Sequence, residues 1–463
     1  MSKSDLLLMS HLMRRAGFGA TRSELEELVS RDYSEVVEEL LHPEKAPLED
    51  EDLLDRYCVG EAIGDWSGKW IHRMVNGKRP LSEKIGLFWH QVFATGWFKS
   101  EHHPTMFNQI ETFKSVGLSN LKTILMELSK DPAMIFWLDN CENHSNAPNE
   151  NYGRELLELF SMGVGNYTED DIKMAARAFT GWTFSQPPPL YPYGNYASDF
   201  QYLPDDHDDS EKTFLGETGK FNGEDIIDII VEQPATARFI SRHLYNFFVA
   251  DEPQVPAWSI EPPRDPSAID ILSNAYFESG GEIRSVLRAM FNADFFKEAV
   301  SDRVKSPVEL IASTVKLVGS HPNPSYHLSS LSAASGAMGQ TLLNPPTVEG
   351  WHTGKEWIDG GALTERVNFA VNEVSNIDSP GVSDFVSRIR GEGDKVSPEQ
   401  FVDKSLDLVG PFKVTSETHQ ALMEFAESGG DLSFDTDEDN DISDGRIVRM
   451  LQLIVASREF QFA

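Results

Sequence analysis

The chain of 463 residues is strongly acidic, with 40 Lys and Arg against 74 Asp and Glu and a formal net charge of −34. Hydrophobic residues make up 40% of it and include 28 Phe, 11 Tyr and 9 Trp, which excludes a disordered polypeptide and predicts a soluble globular protein. A field of this sign repels phosphate backbones, and Lys and Arg form no basic patch, so we expect no nucleic-acid partner.

The N-terminus gives no sign of export. The apolar run Leu6–Met9 ends at Ser10, too early for the core of a signal peptide, and Arg14-Arg15 follows this run instead of preceding it. No stretch approaches the roughly 18 to 20 apolar residues of a transmembrane helix. We therefore expect a cytoplasmic chain, with Cys58 and Cys141 as reduced thiols and their pairing as the alternative.

Helical periodicity dominates the N-terminal part of the chain. Thr21 and Glu24 have the spacing of a capping box, and Pro80 suits a first helical turn. The pattern predicts helices over residues 3–16, 21–30, 34–41, 80–93, 105–117, 119–130 and 132–139.

The segment Asn149–Trp182 combines two amphipathic helical patterns around a Gly-rich turn. Its charged residues lie beside apolar ones such as Leu156, Leu157 and Phe179, where burial is costly without partners. We therefore expect the functional site here, around the charged residues Glu150, Arg154, Glu155, Glu158 and Arg177.

Two irregular segments interrupt the later helices. Residues 183–222 are rich in Pro, Tyr, Asp and Gly and predict short strands around 200–202 and 212–215, while residues 340–361 form the second segment. Further helices are predicted over 223–233, 234–250, 266–279, 281–292, 306–319, 326–338, 363–374, 382–390, 397–408, 415–428 and 444–457.

These patterns predict a mainly α fold, a large multi-helix assembly with two long irregular segments and at most a small β-hairpin. We expect one helical domain over residues 1–463. Its helical core would cover about 1–182 and 223–390, with the irregular excursion at 183–222 and a C-terminal helical part at 391–463.

Signatures of P-loop, dinucleotide-binding, zinc-protease and serine-hydrolase sites are absent from the sequence. Glu155 and Glu158 share one helix face and suit a metal-ligand pair joined by His90 from a facing helix. The alternatives are ion pairing of both glutamates with Arg154 or Arg177, and a hydrogen-bonded core position for His90.

Two acidic segments are weaker candidates. His207-Asp208 in the excursion suits a divalent cation or acid–base chemistry, with an acidic surface turn as the alternative. Residues 435–442 resemble the start of an EF-hand loop, but Asn440 replaces its glycine and Arg446 its bidentate glutamate. A solvated acidic loop is the alternative there.

Several motifs appear in a fixed order and together resemble the bacterial domain of unknown function 1800 family over essentially the full chain. They include residues 14–19, 80–90, 149–159, 176–182, 207–216, 305–309, 338–351 and 457–461. The resemblance implies a helical fold but no established activity. It also implies a sulfatase-like protein encoded nearby as a partner, and exported relatives. This chain departs from the family in lacking an evident leader and in having Val92 where relatives often have a histidine.

The preferred hypothesis is a metal-assisted hydrolase that uses a divalent metal ion. Its expected catalytic residues are Arg154, Glu155, Arg177, His207 and Asp208, and its expected metal ligands are His90, Glu155, Glu158, His207 and Asp208. Arg154 and Arg177 would orient carboxylates or bind an anionic substrate. The alternative is a non-catalytic binding or assembly protein that partners a sulfatase-like protein, with the polar cluster as a structural network.

Overall fold

The computed structural model describes residues 3–48, 51–57, 62–185, 198–411 and 413–463. These residues contain 24 α-helices and three two-stranded antiparallel sheets, so the predicted mainly α class is confirmed. None of the described helices combines the length and apolarity that crossing a bilayer demands. Cys141 is a half-buried free thiol, and Cys58 lies outside the described residues.

Seven of the first ten helices match the predicted ranges closely, while those at 51–57, 63–76 and 97–100 were not among the predicted ranges. Thr21 and Glu24 form the expected capping box, Pro80 occupies the first turn of its helix, and the Asp131 side chain accepts from the Met134 N–H. The helices are α1 (Lys3–Arg15), α2 (Arg22–Leu28), α3 (Tyr33–Leu40), α4 (Glu51–Tyr57), α5 (Ile63–Asn76), α6 (Pro80–Val92), α7 (Trp97–Ser100), α8 (His103–Val116), α9 (Leu121–Lys130) and α10 (Pro132–Trp137).

A helix pair and four short strands follow. They are α11 (Asn151–Glu158), α12 (Glu169–Ala178), β1 (Trp182–Phe184), β2 (Phe200–Tyr202), β3 (Lys212–Phe214) and β4 (Glu217–Gly219). β1 pairs with β2 in the register Trp182 to Tyr202, and β3 with β4 in the register Lys212 to Gly219, both antiparallel. Both strands predicted for the excursion are thus present, while residues 186–197 lie outside the described part of the chain.

The rest of the chain is again helical. Its helices are α13 (Gly223–Val231), α14 (Pro234–Phe248), α15 (Pro266–Glu278), α16 (Ile283–Asn292), α17 (Asp294–Glu298), α18 (Pro307–Val318), α19 (Leu328–Ala337), α20 (Gly360–Glu373), α21 (Pro380–Arg390), α22 (Pro398–Leu408), α23 (Ser416–Ser428) and α24 (Asp437–Ala456). The strands β5 (Lys395–Val396) and β6 (Leu432–Ser433) pair between them. Strand content therefore exceeds the single small hairpin that the sequence suggested.

The EF-hand-like segment is the start of a helix and not a loop. α24 begins at Asp437, and the Thr436 side chain accepts from the Asp439 N–H as its N-terminal cap. The acidic residues of its first turn therefore lie at the positive end of the helix dipole, which stabilises them without a cation.

Helix α6 lies inside the core and is buried on almost every face. A large cluster of buried apolar residues runs from Leu6 in α1 to Phe460 near the C-terminus, and it includes six of the 13 residues of α6. Burial on all sides requires that every polar side chain of the helix has a partner. Glu83 meets this by pairing with Lys114 at 2.7 Å and by accepting from the Trp70 indole at 2.9 Å.

Candidate functional site

The packing of α11 on α12 positions the two glutamates. α11 buries Tyr152, Leu156 and Leu157, so Glu155 and Glu158 project from its other face and are half-buried. A Cβ at Gly153 would lie 3.0 Å from the Ala176 backbone nitrogen, so this glycine allows the two helices to approach closely.

The turn after α11 also depends on a glycine. Gly163 has a φ of +77°, and a Cβ there would lie 2.8 Å from the Phe239 ring. Only glycine accommodates both the left-handed backbone and this close approach without strain. The turn is thereby held against α14, which carries Phe239.

The two glutamates lie in a cleft of about 660 Å³ between α11, its following turn, α14 and the segments 255–259 and 347–349. We call it the carboxylate cleft. Its lining includes Glu155, Glu158, Met162, Phe239, Trp258 and Glu349. A second hollow of about 430 Å³ adjoins it and shares Met162, Phe239 and Trp258 as lining residues.

Glu155 titrates near neutral pH in this environment. Burial, and then the neighbouring charge of Glu158, raise its pKa to about 7, while Arg154 opposes the change. Among the described residues, no hydrogen bond or ion pair reaches the Glu155 carboxylate. Glu158 differs because it accepts a hydrogen bond of 3.0 Å from the Tyr167 hydroxyl. The two carboxyl groups therefore have unequal environments on one helix face.

Arg154 is engaged outside the cleft. Its guanidinium forms ion pairs with Glu150 at 3.1 Å and with Glu169 at 2.9 Å, and the second pair joins α11 to the first turn of α12. These carboxylates raise the pKa of Arg154, whose charge is permanent in either case. Its contacts are those of a residue that fixes the helix pair.

Arg177, His207 and Asp208 form a separate cluster that ties the excursion to α12. The Arg177 guanidinium pairs with Asp208 at 2.7 Å, and the His207 Nδ1 lies 3.0 Å from the Thr180 carbonyl oxygen. Burial raises the pKa of Asp208, but hydrogen bonds from Arg177 and Ser210 outweigh it and hold the pKa well below its usual range.

His90 lies in the core, away from the surface. It is fully buried on α6, where the Leu343 N–H donates to its Nε2 at 3.0 Å and the rings of Trp70 and Trp351 contact it. Burial lowers its pKa to about 3, so the imidazole is neutral. Its Nδ1 has no hydrogen-bond partner among the described residues.

The structure thus brings Glu155 and Glu158 together, groups Arg177 with His207 and Asp208, and leaves His90 in the core. Within the described ranges, no group of three or more His, Cys, Asp or Glu is arranged to hold a metal ion. The sequence did not point to Phe239, Trp258 or Tyr167 as parts of the site. The sequence distinguishes Trp258 only by its position in a Pro-rich break of the helical pattern.

The fold and the cleft define a mainly helical protein with two unequal carboxyl groups on one wall of a surface groove. Residues 11–462 match the family described as protein of unknown function (DUF1800), and the chain belongs to that family. No curated protein and no solved structure matches it.

Proposed function

We propose that this protein is a hydrolase whose substrate binds in the carboxylate cleft and whose proton transfers are carried out by Glu155. The observation that carries the proposal is the half-buried Glu155 carboxyl, unpartnered among the described residues, on the wall of a cleft of about 660 Å³. The rings of Phe239 and Trp258 give this cleft the apolar and aromatic surface that binds organic ligands.

The unequal environments of the two glutamates support different roles. A pKa of about 7 lets Glu155 accept and return a proton at neutral pH, which is the range in which general acid–base catalysis works best. Glu158 accepts from the Tyr167 hydroxyl, and its charge helps to raise the pKa of Glu155.

As an alternative to proton transfer by Glu155, the same two glutamates are the proposed ligands of a divalent metal ion. Hard cations such as Mg²⁺ use one or two protein carboxylates and complete their coordination with water or substrate, so a third protein ligand is not required. A bound cation would supply an acidified water and charge stabilisation. Because a proton and a cation compete for Glu155, metal retention should weaken as the pH falls below about 7.

Arg154 enters the proposal as a positioning residue, because its pairs with Glu150 and Glu169 fix α11 on α12. Arg177, His207 and Asp208 likewise hold the excursion against α12.

The experiment is a screen of p-nitrophenyl esters, phosphoesters and glycosides with and without Mg²⁺ or Mn²⁺. We expect Glu155→Gln to lose about 100-fold or more in rate. Glu417→Gln, at an exposed glutamate of α23 that does not line the cleft, is the matched control and should keep the activity. The rate should follow an apparent pKa near 7 that moves down in Glu158→Gln, since removing that charge eases ionisation of Glu155.

The paired arginines favour one other candidate, a non-catalytic binding or assembly protein that partners a sulfatase-like protein. Arg154 and Arg177 are both tied to carboxylates, as in a purely structural network. The hydrolase proposal fails if no substrate class is turned over under any metal condition, or if Glu155→Gln turns over substrate as fast as the wild type. Co-purification with a sulfatase-like protein would then support the second candidate.

A further inference from the structure

A group of buried cations lies outside the lining of the carboxylate cleft. Within the described part of the chain it comprises Arg14, Arg15, Lys84, Arg303, Lys305 and Arg366, and all except Arg14 are at most 5% exposed. They are near enough to one another to affect each other's ionisation, as Arg15 does with Arg303 and Lys305 with Arg366. A buried excess of positive charge is unexpected in a chain of net charge −34.

Two of these cations share one buried carboxylate. Glu309 accepts from Arg303 at 2.8 Å and from Lys84, and its carboxylate also caps α18 through the Ser306 N–H. Burial opposes its charge, but Arg303 and Lys84 outweigh burial and hold the pKa of Glu309 well below its usual range. Lys84 and Arg303 are therefore compensated by Glu309.

Three of the others have no carboxylate within ion-pair distance among the described residues, although the charges of Glu309 and Asp251 act on Arg15 from farther away. Arg15 donates to the Ala299 carbonyl at 3.1 Å, and its Nε and Nη1 find no partner there. Arg366 donates to Gln461 at 2.8 Å and leaves Nη1 unpartnered within the described ranges. The Lys305 Nζ donates to the Phe460 carbonyl at 2.9 Å and has no further hydrogen-bond partner within the described ranges. Buried charges of this kind destabilise a fold unless an anion compensates them.

A small cavity adjoins this group, between α1, α18 and the C-terminal residues. Its volume is about 50 Å³, and its polar lining includes Ser10, Arg14, Lys305, Ser313, Lys316 and Glu459. Glu459 is already engaged, because its oxygens accept from the Thr415 N–H at 2.8 Å and the Thr418 hydroxyl at 3.0 Å. The lining thus presents three cations and one occupied carboxylate. Of the cations, Lys316 also pairs with Glu24 outside the lining at 3.8 Å, and Arg14 donates to the Ser10 hydroxyl at 2.5 Å.

We propose that this cavity binds a small tetrahedral oxyanion, phosphate or sulfate, through Arg14, Lys305 and Lys316 with the hydroxyls of Ser10 and Ser313. The cavity volume is several times the roughly 10–15 Å³ that admits one water, so a five-atom anion fits. Arginine and lysine together offer charge-assisted donors from several directions, which suits a tetrahedral ligand.

Gly410 keeps this cavity open. Its φ is +103°, and a Cβ there would lie 3.4 Å from the Ser10 Oγ and 3.9 Å from the Arg14 Nη1. A side chain at this position would occupy the space in front of both donors. The site is also independent of the proposed hydrolase function, because it shares no lining residue with the carboxylate cleft.

Binding should depend on pH through Lys305. Burial, then Arg14, Arg366 and Lys84, lower the pKa of Lys305 well below its usual value, and Glu309 opposes them. A bound anion favours the protonated amine, so sulfate binding takes up a proton and tightens as the pH falls through the lowered pKa of Lys305. Titrations in buffers of different ionisation enthalpy measure that uptake.

The experiment is calorimetric titration of the full chain with sodium phosphate and sodium sulfate, with sodium chloride at equal ionic strength as reference. We expect one site per chain, an affinity at least about tenfold weaker in Lys305→Met and in Arg14→Gln, and no response to chloride. Lys122→Met is the matched control, because this exposed lysine pairs with Asp228 elsewhere and its loss should leave the affinity unchanged. The tighter of the two oxyanions identifies the ligand.

Thermal unfolding separates a binding site from a structural one. Without oxyanion, Lys305→Met should melt no lower than the wild type, since it removes a buried uncompensated charge. With phosphate, only the wild type and the control should gain in melting temperature. The proposal is overturned if neither oxyanion binds the wild type, if chloride binds equally well, or if both cavity variants bind as the wild type does. If Lys305→Met does not fold, Arg14→Gln alone decides.

Discussion

At the scale of single residues, His90 shows how an imidazole is accommodated in an apolar core. It accepts from the Leu343 N–H and packs between two indoles. We expect His90→Ala to lower the free energy of unfolding by about 3 kcal/mol, because it leaves a cavity and an unpartnered N–H. Chemical denaturation measures this loss, and the exposed His352→Ala should change stability by less than about 0.5 kcal/mol.

The same variant bears on the metal-ligand hypothesis. If His90 acts only in packing, folded His90→Ala should retain Mg²⁺ affinity equal to that of the wild type. A variant of unchanged stability that no longer binds the cation would contradict the packing role.

Residue spacing predicted part of the candidate site but not the contacts between residues that are far apart in sequence. The shared face of Glu155 and Glu158 follows from helical geometry, as does the pair of Arg154 with Glu150 four residues earlier. The pair of Arg177 with Asp208 crosses 31 positions and depends on how the excursion folds back, which no local pattern encodes. The aromatic side chains that line the cleft could not be predicted for the same reason.

At the scale of elements, helix boundaries were predictable because capping is local. The capping box at Thr21 was predicted from four consecutive residues and is present, and a second box forms at Ser397. The pairing of β5 with β6 was not readable, since each strand has two residues and its partner lies far along the chain. The start of α24 was missed because its acidic first turn resembles a calcium loop.

A comparison of two capping boxes isolates the contribution of a buried ion pair. Glu24 in α2 and Glu309 in α18 are both the third helical residue of a box, and glutamine preserves the cap in either. Glu309→Gln also removes the negative charge that compensates Arg303 and Lys84. We therefore expect Glu309→Gln to cost about 3–5 kcal/mol of unfolding free energy, and Glu24→Gln less than about 1 kcal/mol.

Denaturant titration of the two variants at pH 7 measures the difference. Equal losses would mean that the buried ion pairs add nothing to the cap.

At the scale of the whole molecule, the sequence alone could not predict which residues from distant segments lie close together. The buried cations come from α1, α6, the segment before α18 and α20, and are separated by up to several hundred residues. Each looks like an ordinary solvated charge in its own segment. Only the packing of these helices shows that their charges share one interior.

The dependence of stability on pH is also set by the whole interior, through two opposing sets of groups. Burial lowers the pKa of His243 to about 3, so the fold holds it neutral while the unfolded chain binds a proton below about 6.5. Its contribution is lost as the pH falls. Burial raises the pKa of Asp131 to about 7, so the fold binds a proton before the unfolded chain does, and its contribution grows as the pH falls from 7.

Variants at these two positions should therefore change the pH dependence in opposite directions. Between pH 7 and pH 5, His243→Phe should reduce the loss of unfolding free energy by about 2 kcal/mol, because that proton is no longer taken up on unfolding. Asp131→Asn should increase the loss of unfolding free energy between pH 7 and pH 5 by roughly 2–3 kcal/mol, because the carboxyl group whose protonation stabilises the fold is removed. Denaturation at pH 7, 6 and 5 and constant ionic strength measures both slopes. Parallel slopes for wild type and variants would show that neither group titrates differently in the folded and unfolded chain.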